Sequence, residues 1–280
     1  MRIALVLEYD GSRYHGWQKQ RGLFTIQQQV EEALGKIVHH DLNVVCAGRT
    51  DTGVHATNQV IHFNCAKELP LSAWVRGTNN YLPQDIAVKC GFLMPDSFHA
   101  RYSALARHYR YFIYNAPTRP ALFTNKIVWQ YRQLNHKVMQ EASKYLLGEH
   151  DYSSFRAAEC QSKSTMRNIY TLKIHRHDKF IIVDLIANAF LHHMVRNIVG
   201  VLTMVGIGKK PPLWVKEVLQ AKDRSMAAAT APAHGLYLIA VSYPKEFTSN
   251  LSVPPFYIEQ YSELPSFFAS PSKDLVGTLF

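Results

Sequence analysis

The segment Gly48-Arg49-Thr50-Asp51-Thr52-Gly53-Val54-His55 crowds a carboxylate, a guanidinium, two hydroxyls and an imidazole into eight positions. Glycines flank it, so it reads as a loop, where functional side chains concentrate. A turn aspartate commonly does no more than bond its own backbone. Asp51 gains weight from its neighbours, because Arg49 supplies a cation that holds a carboxylate ionised. Asp51-Thr52-Gly53 also matches the aspartic-protease signature, but that chemistry needs a second such loop or a dimer, and a proton shared between two carboxylates. An arginine two residues upstream opposes that sharing.

Arg196 is the second unusual residue, lying between Val195 and Asn197 in the most apolar stretch of the chain. At helical spacing His192, Arg196, Gly200 and Thr203 share one face. A buried arginine needs an acid, and Asp51 is the partner that would make a site of both. His192 and His193, adjacent on a helix, would point to different faces, so no metal role is assigned to them. The four cysteines, Cys46, Cys65, Cys90 and Cys160, are scattered, with no closely spaced Cys/His set for zinc.

The third feature is the alternating run His108-Tyr109-Arg110-Tyr111-Phe112, which puts Tyr109 and Tyr111 on one face of a strand and His108 and Arg110 on the other. Aromatics among cations suit base stacking beside phosphates, and a half-buried sheet face would look the same. Arg101, Arg107 and Arg110, with Lys19 and Arg21, are candidates for a phosphate track. The net charge of +10 on 280 residues favours a polyanionic partner. With 47% hydrophobic and 19% charged residues the chain can bury an ordinary core.

These residues need a scaffold, and periodicity supplies one. A strand over 2–9 is followed by a helix from Thr25, whose Ile26, Val30, Leu34 and Ile37 recur at helical spacing and whose Thr25 and Gln28 suggest a capping box. Strands at 43–47 and 60–65 flank the Asp51 loop, a helix lies between Pro70 and Pro83, and a strand covers 86–93. The second half repeats the order: a strand from His108, a helix over 134–147, strands at 167–175 and 180–187, an apolar helix over 189–207, a short helix over 213–220 and a strand over 236–243. The expected fold is α+β, with two ferredoxin-like βαββαβ units built on antiparallel sheets. The N-terminal unit spans 1–104 and carries the Asp51 loop, the C-terminal unit spans 105–245, and 246–280 is a proline-rich tail containing Phe256, Tyr257, Phe267 and Phe268. The first strand reaches Glu8 too soon for a signal-peptide core, and His192, His193, Arg196 and Asn197 interrupt the apolar helix, so a cytoplasmic protein without a membrane span is expected.

Together the segments Tyr9-Asp10-Gly11, Tyr14-His15-Gly16-Trp17-Gln18-Lys19-Gln20, the Asp51 loop, Phe98-His99-Ala100-Arg101, Tyr109-Arg110-Tyr111, Phe190 to Gly200, and Pro232-Ala233-His234-Gly235-Leu236 resemble the bacterial tRNA pseudouridine synthase I (TruA) family. They follow family order over about 3–243. The resemblance implies isomerisation of uridines 38, 39 and 40 in the anticodon arm of tRNA, without cofactor, by a homodimer whose sheets form a central RNA-binding cleft; no metal is expected. It also implies that Asp51 is the essential catalytic residue, that Arg49 assists extrusion of the base and that Tyr109 stacks on the uracil. Arg196 would pair with Asp51, and Leu236 would pack against the base. The tail is longer than the family core, which leaves a role in partner contacts open. From the residues alone, a protein that only binds RNA stands as the alternative.

Overall fold

A computed structural model describes residues 1–248. Its centre is one ten-stranded, mostly antiparallel sheet. The path runs β4 (Ile86–Met94), β1 (Arg2–Tyr9), β3 (His55–Asn64), β10 (Leu236–Ser242), β5 (Ala106–Asn115), β9 (Phe180–Ala187), β8 (Met166–His177), β7 (Gly148–Asp151). Two short strands stand off that path: β2 (Val45–Cys46) on β3 and β6 (Val128–Gln130) on β5. Instead of two separate sheets, the halves share one. The join is β10, parallel to β3 through Tyr237 opposite His55 and antiparallel to β5 through Leu238 opposite Tyr109.

Central strands are buried on both faces, which is why β1 reads as a nearly unbroken apolar run. Ile3, Leu5 and Leu7 join the large core with Val30 and Leu34 of α1 (Ile26–Val38), while Ala4 and Val6 face a second cluster with Phe98 and Tyr243. Helix α2 (Leu71–Tyr81) packs beside α1, contributing the fully buried Trp74. In the second half α3 (His136–Ser143) and α4 (Met194–Gly206) pack together, and α4 buries Ile198, Val201, Leu202 and Val205 with Ile181, Val183 and Leu185 of β9 in the same core. Each such fully buried side chain contributes about 1.5–3 kcal/mol. Helix α5 (Trp214–Ala221) closes the far side, and the short α6 (Lys245–Thr248) seats Phe247 against Phe98, ring centroids 5.3 Å apart. Of the expected tail, residues 249–280 lie outside the described residues.

Several elements differ from the sequence reading. Strand β3 begins at His55, five residues before the expected start, so the Asp51 loop is shortened to 47–54. The capping box at α1 does not form: Thr25 Oγ1 is buried without a bond, and Gln28 bonds Glu32. The carbonyls of Gly16 and Trp17 instead accept from Ile26 and Gln27 N–H, so the loop 16–17 caps the helix. Helix α3 stops early because the chain tightens at 144–146 before Gly148, at φ +90°, opens β7. Helix α4 starts at Met194, leaving 189–193 as loop, because His193 takes a left-handed φ of 62°. Among the described residues no helix is long and apolar enough to cross a membrane.

Candidate active site

The loop 47–54 is fixed from beneath by groups that leave Asp51 at its surface. Gln59, a fully buried glutamine on β3, donates to Gly48 O at 2.6 Å. Tyr9 Oη and Thr50 Oγ1 share a hydrogen bond of 2.8 Å, and Trp17 N–H donates to Thr50 O at 2.9 Å. The chain 16–17 can come this close only at Gly16, where a Cβ would lie 2.7 Å from Thr50 O and φ is +80°. Val54 N–H closes the turn on Asp51 O at 3.1 Å.

Above the loop stands the start of α4. Arg196 Nη1 lies 3.0 Å from Asp51 Oδ2, while its Nε donates to Ala231 O at 2.8 Å. Ala231 N–H returns a bond to Arg196 O at 3.1 Å, so segment 229–231 runs along the helix. Gly200, one turn on, permits this: a Cβ there would sit 2.2 Å from Ala229 O. Asn197 adds a further tie, donating to Phe155 O and accepting from Thr230 and Arg224.

His192 and His193 are not on the helix, and the expectation that they point apart is overturned. The left-handed turn at His193 brings both to Asp51, with His192 Nε2 3.4 Å from Oδ1, His193 Nε2 3.4 Å from Oδ2 and ring centroids 4.0 Å apart. Burial pushes the Asp51 carboxyl up, but His192, His193 and Arg196 together outweigh it and hold the group below the ordinary carboxylate range. The contact with Asp51 outweighs burial to raise His192, whereas burial lowers His193.

Tyr109 is buried on β5, edge-on to Phe190 with centroids 5.0 Å apart. Burial first, and then the negative charge of Asp51, keep its phenol protonated far above neutrality. Tyr111 donates to Pro232 O at 2.7 Å and stands opposite Leu236, the buried first residue of β10. Arg49 is exposed on the same loop as Asp51. The fold therefore gathers Asp51, Arg196, His192, His193 and Tyr109, with Leu236 one strand from Tyr109 and Arg49 at the rim.

The proposed phosphate track changes more. Arg107 is buried and donates to the carbonyls of Ala47, Arg101, Ala104 and Asn188, clamping three loops. Arg110 is buried against Asp184, Nε to Oδ1 2.8 Å, beside His108 Nε2 at 2.8 Å from the same oxygen. Lys19 pairs with Glu31 at 3.1 Å. Only Arg21 and Arg101 of the five are open to solvent without an acid partner among the described residues.

Sequence comparison decides what this arrangement belongs to. A family model described as tRNA pseudouridine synthase matches residues 5–103 and 142–244, segments that include Asp51, Arg196 and Leu236. The chain belongs to the tRNA pseudouridine synthase family. As a member, the synthase is an isomerase that converts uridine to pseudouridine in tRNA. It is 62% identical over 247 residues to a tRNA pseudouridine synthase A of Legionella pneumophila, covering 88% of this chain and 94% of the relative. It is 51% identical over 255 residues to one of Tolumonas auensis, covering 91% and 97%. A chain from the crystal structure of a Cbf5-Nop10-Gar1 complex aligns at 9% identity and a TM-score of 0.35, covering 94% of this chain and 67% of that one, a likeness too slight to bear on function. The protease and binding-only readings of the synthase fall away.

Proposed function

We propose that the enzyme isomerises uridines 38, 39 and 40 in the anticodon stem-loop of tRNA, with Asp51 as its essential carboxylate. The observation that carries the role of Asp51 is its pairing with Arg196, itself anchored on Ala231, beside the buried Tyr109. The reaction breaks the bond from N1 to C1′, turns the uracil and joins C5 to C1′, with loss of the proton at C5 and gain of one at N1. There is no net oxidation or reduction, so the conversion calls for no redox cofactor, and no metal enters the scheme. It calls for an anionic group at C1′ and walls that keep the detached base. Asp51, held ionised, supplies the first, as nucleophile at C1′ or as base on the sugar. Tyr109 and Leu236 supply the second, Tyr109 by stacking on the uracil and Leu236 by packing against it. Arg49, exposed at the rim, takes up space in the stem as the base leaves, at an unstacking cost on the order of a few kcal/mol.

The finer architecture belongs to the same reading. In each half the strands follow the order fourth, first, third, second, as β4-β1-β3-β2 and β10-β5-β9-β8. This supports two ferredoxin-like units, 1–104 and 105–245, whose fused sheets form the RNA cleft, followed by a tail at 246–280. A cytoplasmic homodimer completes the proposal.

The test is tritium release from tRNA carrying 5-tritiated uridine. Asp51→Asn, nearly isosteric, is expected to abolish release and leave tRNA affinity within about threefold, since phosphate contacts dominate binding. Wild-type release by the variant ends the assignment. Mapping pseudouridine in treated tRNA to sites other than 38, 39 and 40 ends the positional claim.

A further inference from the structure

The pair His192-His193 does more at Asp51 than balance a charge. Two imidazole nitrogens and a carboxylate converge, each with one donor atom, and all three donors lie within 4.8 Å of one another. His192 Nε2 stands 3.4 Å from Oδ1 and His193 Nε2 3.4 Å from Oδ2, so each imidazole faces its own oxygen of the one carboxylate. Donors bound at roughly 2.0–2.1 Å to a tetrahedral zinc ion stand about 3.3–3.4 Å apart, the spacing each imidazole already keeps from one carboxylate oxygen; a single oxygen serving both needs only the turn of the Asp51 carboxylate that an arriving ion would draw. The side chains of His192, His193 and Asp51 are 36, 29 and 18% exposed, which leaves an entry path and an open fourth position for water. Arg196, at 3.0 Å from Asp51 Oδ2, would remain as a hydrogen-bond donor to the bound carboxylate, the kind of outer contact that orients a metal ligand. The backbone is committed to this convergence: His193 holds a left-handed φ, uncommon for a residue with a side chain, immediately before α4.

We propose that His192, His193 and Asp51 form a binding site for a zinc-like divalent ion, and that an ion held there blocks the enzyme by occupying the carboxylate that C1′ must meet. Two imidazoles and one carboxylate favour zinc, cobalt or nickel over magnesium, which prefers oxygen donors and keeps its water. The ion is an inhibitor of the reaction and takes no step in it. The blocking half rests on Asp51 being the reacting group; the binding half does not.

The two halves separate experimentally in the full chain stripped of metal. Equilibrium dialysis against Zn²⁺ is expected to give one ion per chain at this site, and Co²⁺ in its place should show the visible absorption of a tetrahedral nitrogen and oxygen site. His193→Ala and Asp51→Asn should each weaken Zn²⁺ on the order of a hundredfold, at or above the loss usual for an outer-shell change. His193→Gln, which keeps a polar side chain without an imidazole, should weaken it equally while leaving the thermal midpoint unchanged. Mg²⁺ should neither bind there nor compete. In the tritium assay, one equivalent of Zn²⁺ should stop release, a chelator should restore it, and saturating tRNA added first should slow the onset. The chain has 14 histidines, so zinc retained equally by all three variants would place the ion elsewhere and overturn the site. Failure to bind zinc at all does the same. Zinc bound through these residues with undiminished tritium release would overturn the blocking half.

Discussion

Gly200→Ala sets two effects of opposite sign against each other. In a helix the change should help, by about 1 kcal/mol of propensity. The new Cβ, however, would lie 2.2 Å from Ala229 O, which must retreat about 0.8 Å to reach even 3.0 Å. The obstacle is a backbone carbonyl, which has no rotamer to move into, and overpacking of this kind costs about 1–3 kcal/mol. Segment 229–231 is also tied to α4 through Ala231 N–H to Arg196 O and Arg196 Nε to Ala231 O, so pushing it away drags the guanidinium. The net is a loss of up to about 2 kcal/mol, which lowers the thermal midpoint of a chain this size by up to about 8 °C. Displacing Arg196 by part of an ångström from Asp51 should cut single-turnover tritium release on the order of tenfold or more. The control is Gly206→Ala on the same helix, where the atoms nearest the new Cβ are the flexible Met139 side chain at 2.6 Å and Leu134 Cδ2 at 3.0 Å, both away from Asp51. It should leave release within about twofold, against the tenfold loss expected on misplacing a reacting group. A Gly200→Ala enzyme as stable as wild type with unchanged single-turnover release refutes the coupling of helix packing to the site.

Asp184→Asn should destabilise the protein by about 2 kcal/mol at neutral pH, because burial raises this carboxyl but His108 and Arg110 bring it down to about 2 from an unfolded value of 3.8. A depressed carboxylate contributes above its unfolded value and loses that contribution as pH falls through the folded one, so wild type and variant should converge between about pH 4 and 2 in urea melts; a gap that persists at pH 2 contradicts this. Arg107→Ala leaves the carbonyls of Ala47, Arg101, Ala104 and Asn188 without their donor and should cost on the order of 2–4 kcal/mol, with the salt dependence of tRNA binding unaltered. Arg49→Gln should do the reverse, leaving stability within about 0.5 kcal/mol and reducing the slope of log affinity against log salt by about 1. Filter binding across a salt series, with thermal melts, distinguishes the two.

The pieces of this site were legible where chemistry is local. Asp51 stood out by its neighbours, and Arg196 by being charged in an apolar stretch, and the two meet across 145 residues. Periodicity placed most helices and strands because burial imposes it. What failed was set by tertiary contact. Nothing in Thr25 and Gln28 shows that the 16–17 loop will supply the carbonyl caps. The strand from His55 to Gln59 is polar in composition, yet His55, Ala56 and Gln59 are buried, since β1 and β10 flank it. His192 and His193 were misread because one left-handed residue moved the helix start, and a single φ leaves no periodic trace. Arginines 107 and 110 looked like surface cations because sequence does not reveal which carbonyls or which acid will surround them.

The strand that joins the halves, β10, is also the last strand of the described chain to leave the ribosome. Until residues 236–242 emerge, β3 and β5 have no common neighbour, and the edges they will share stay unpaired. At about 5–20 residues per second, the nascent halves wait several seconds in that state, exposed to premature edge-to-edge pairing. Closure then demands pairing of residue 237 with residue 55, a long-range contact of the kind that slows folding. Joining of the halves thus waits on residues 236–242, and a message cut short before them yields two half-sheets and no joined enzyme.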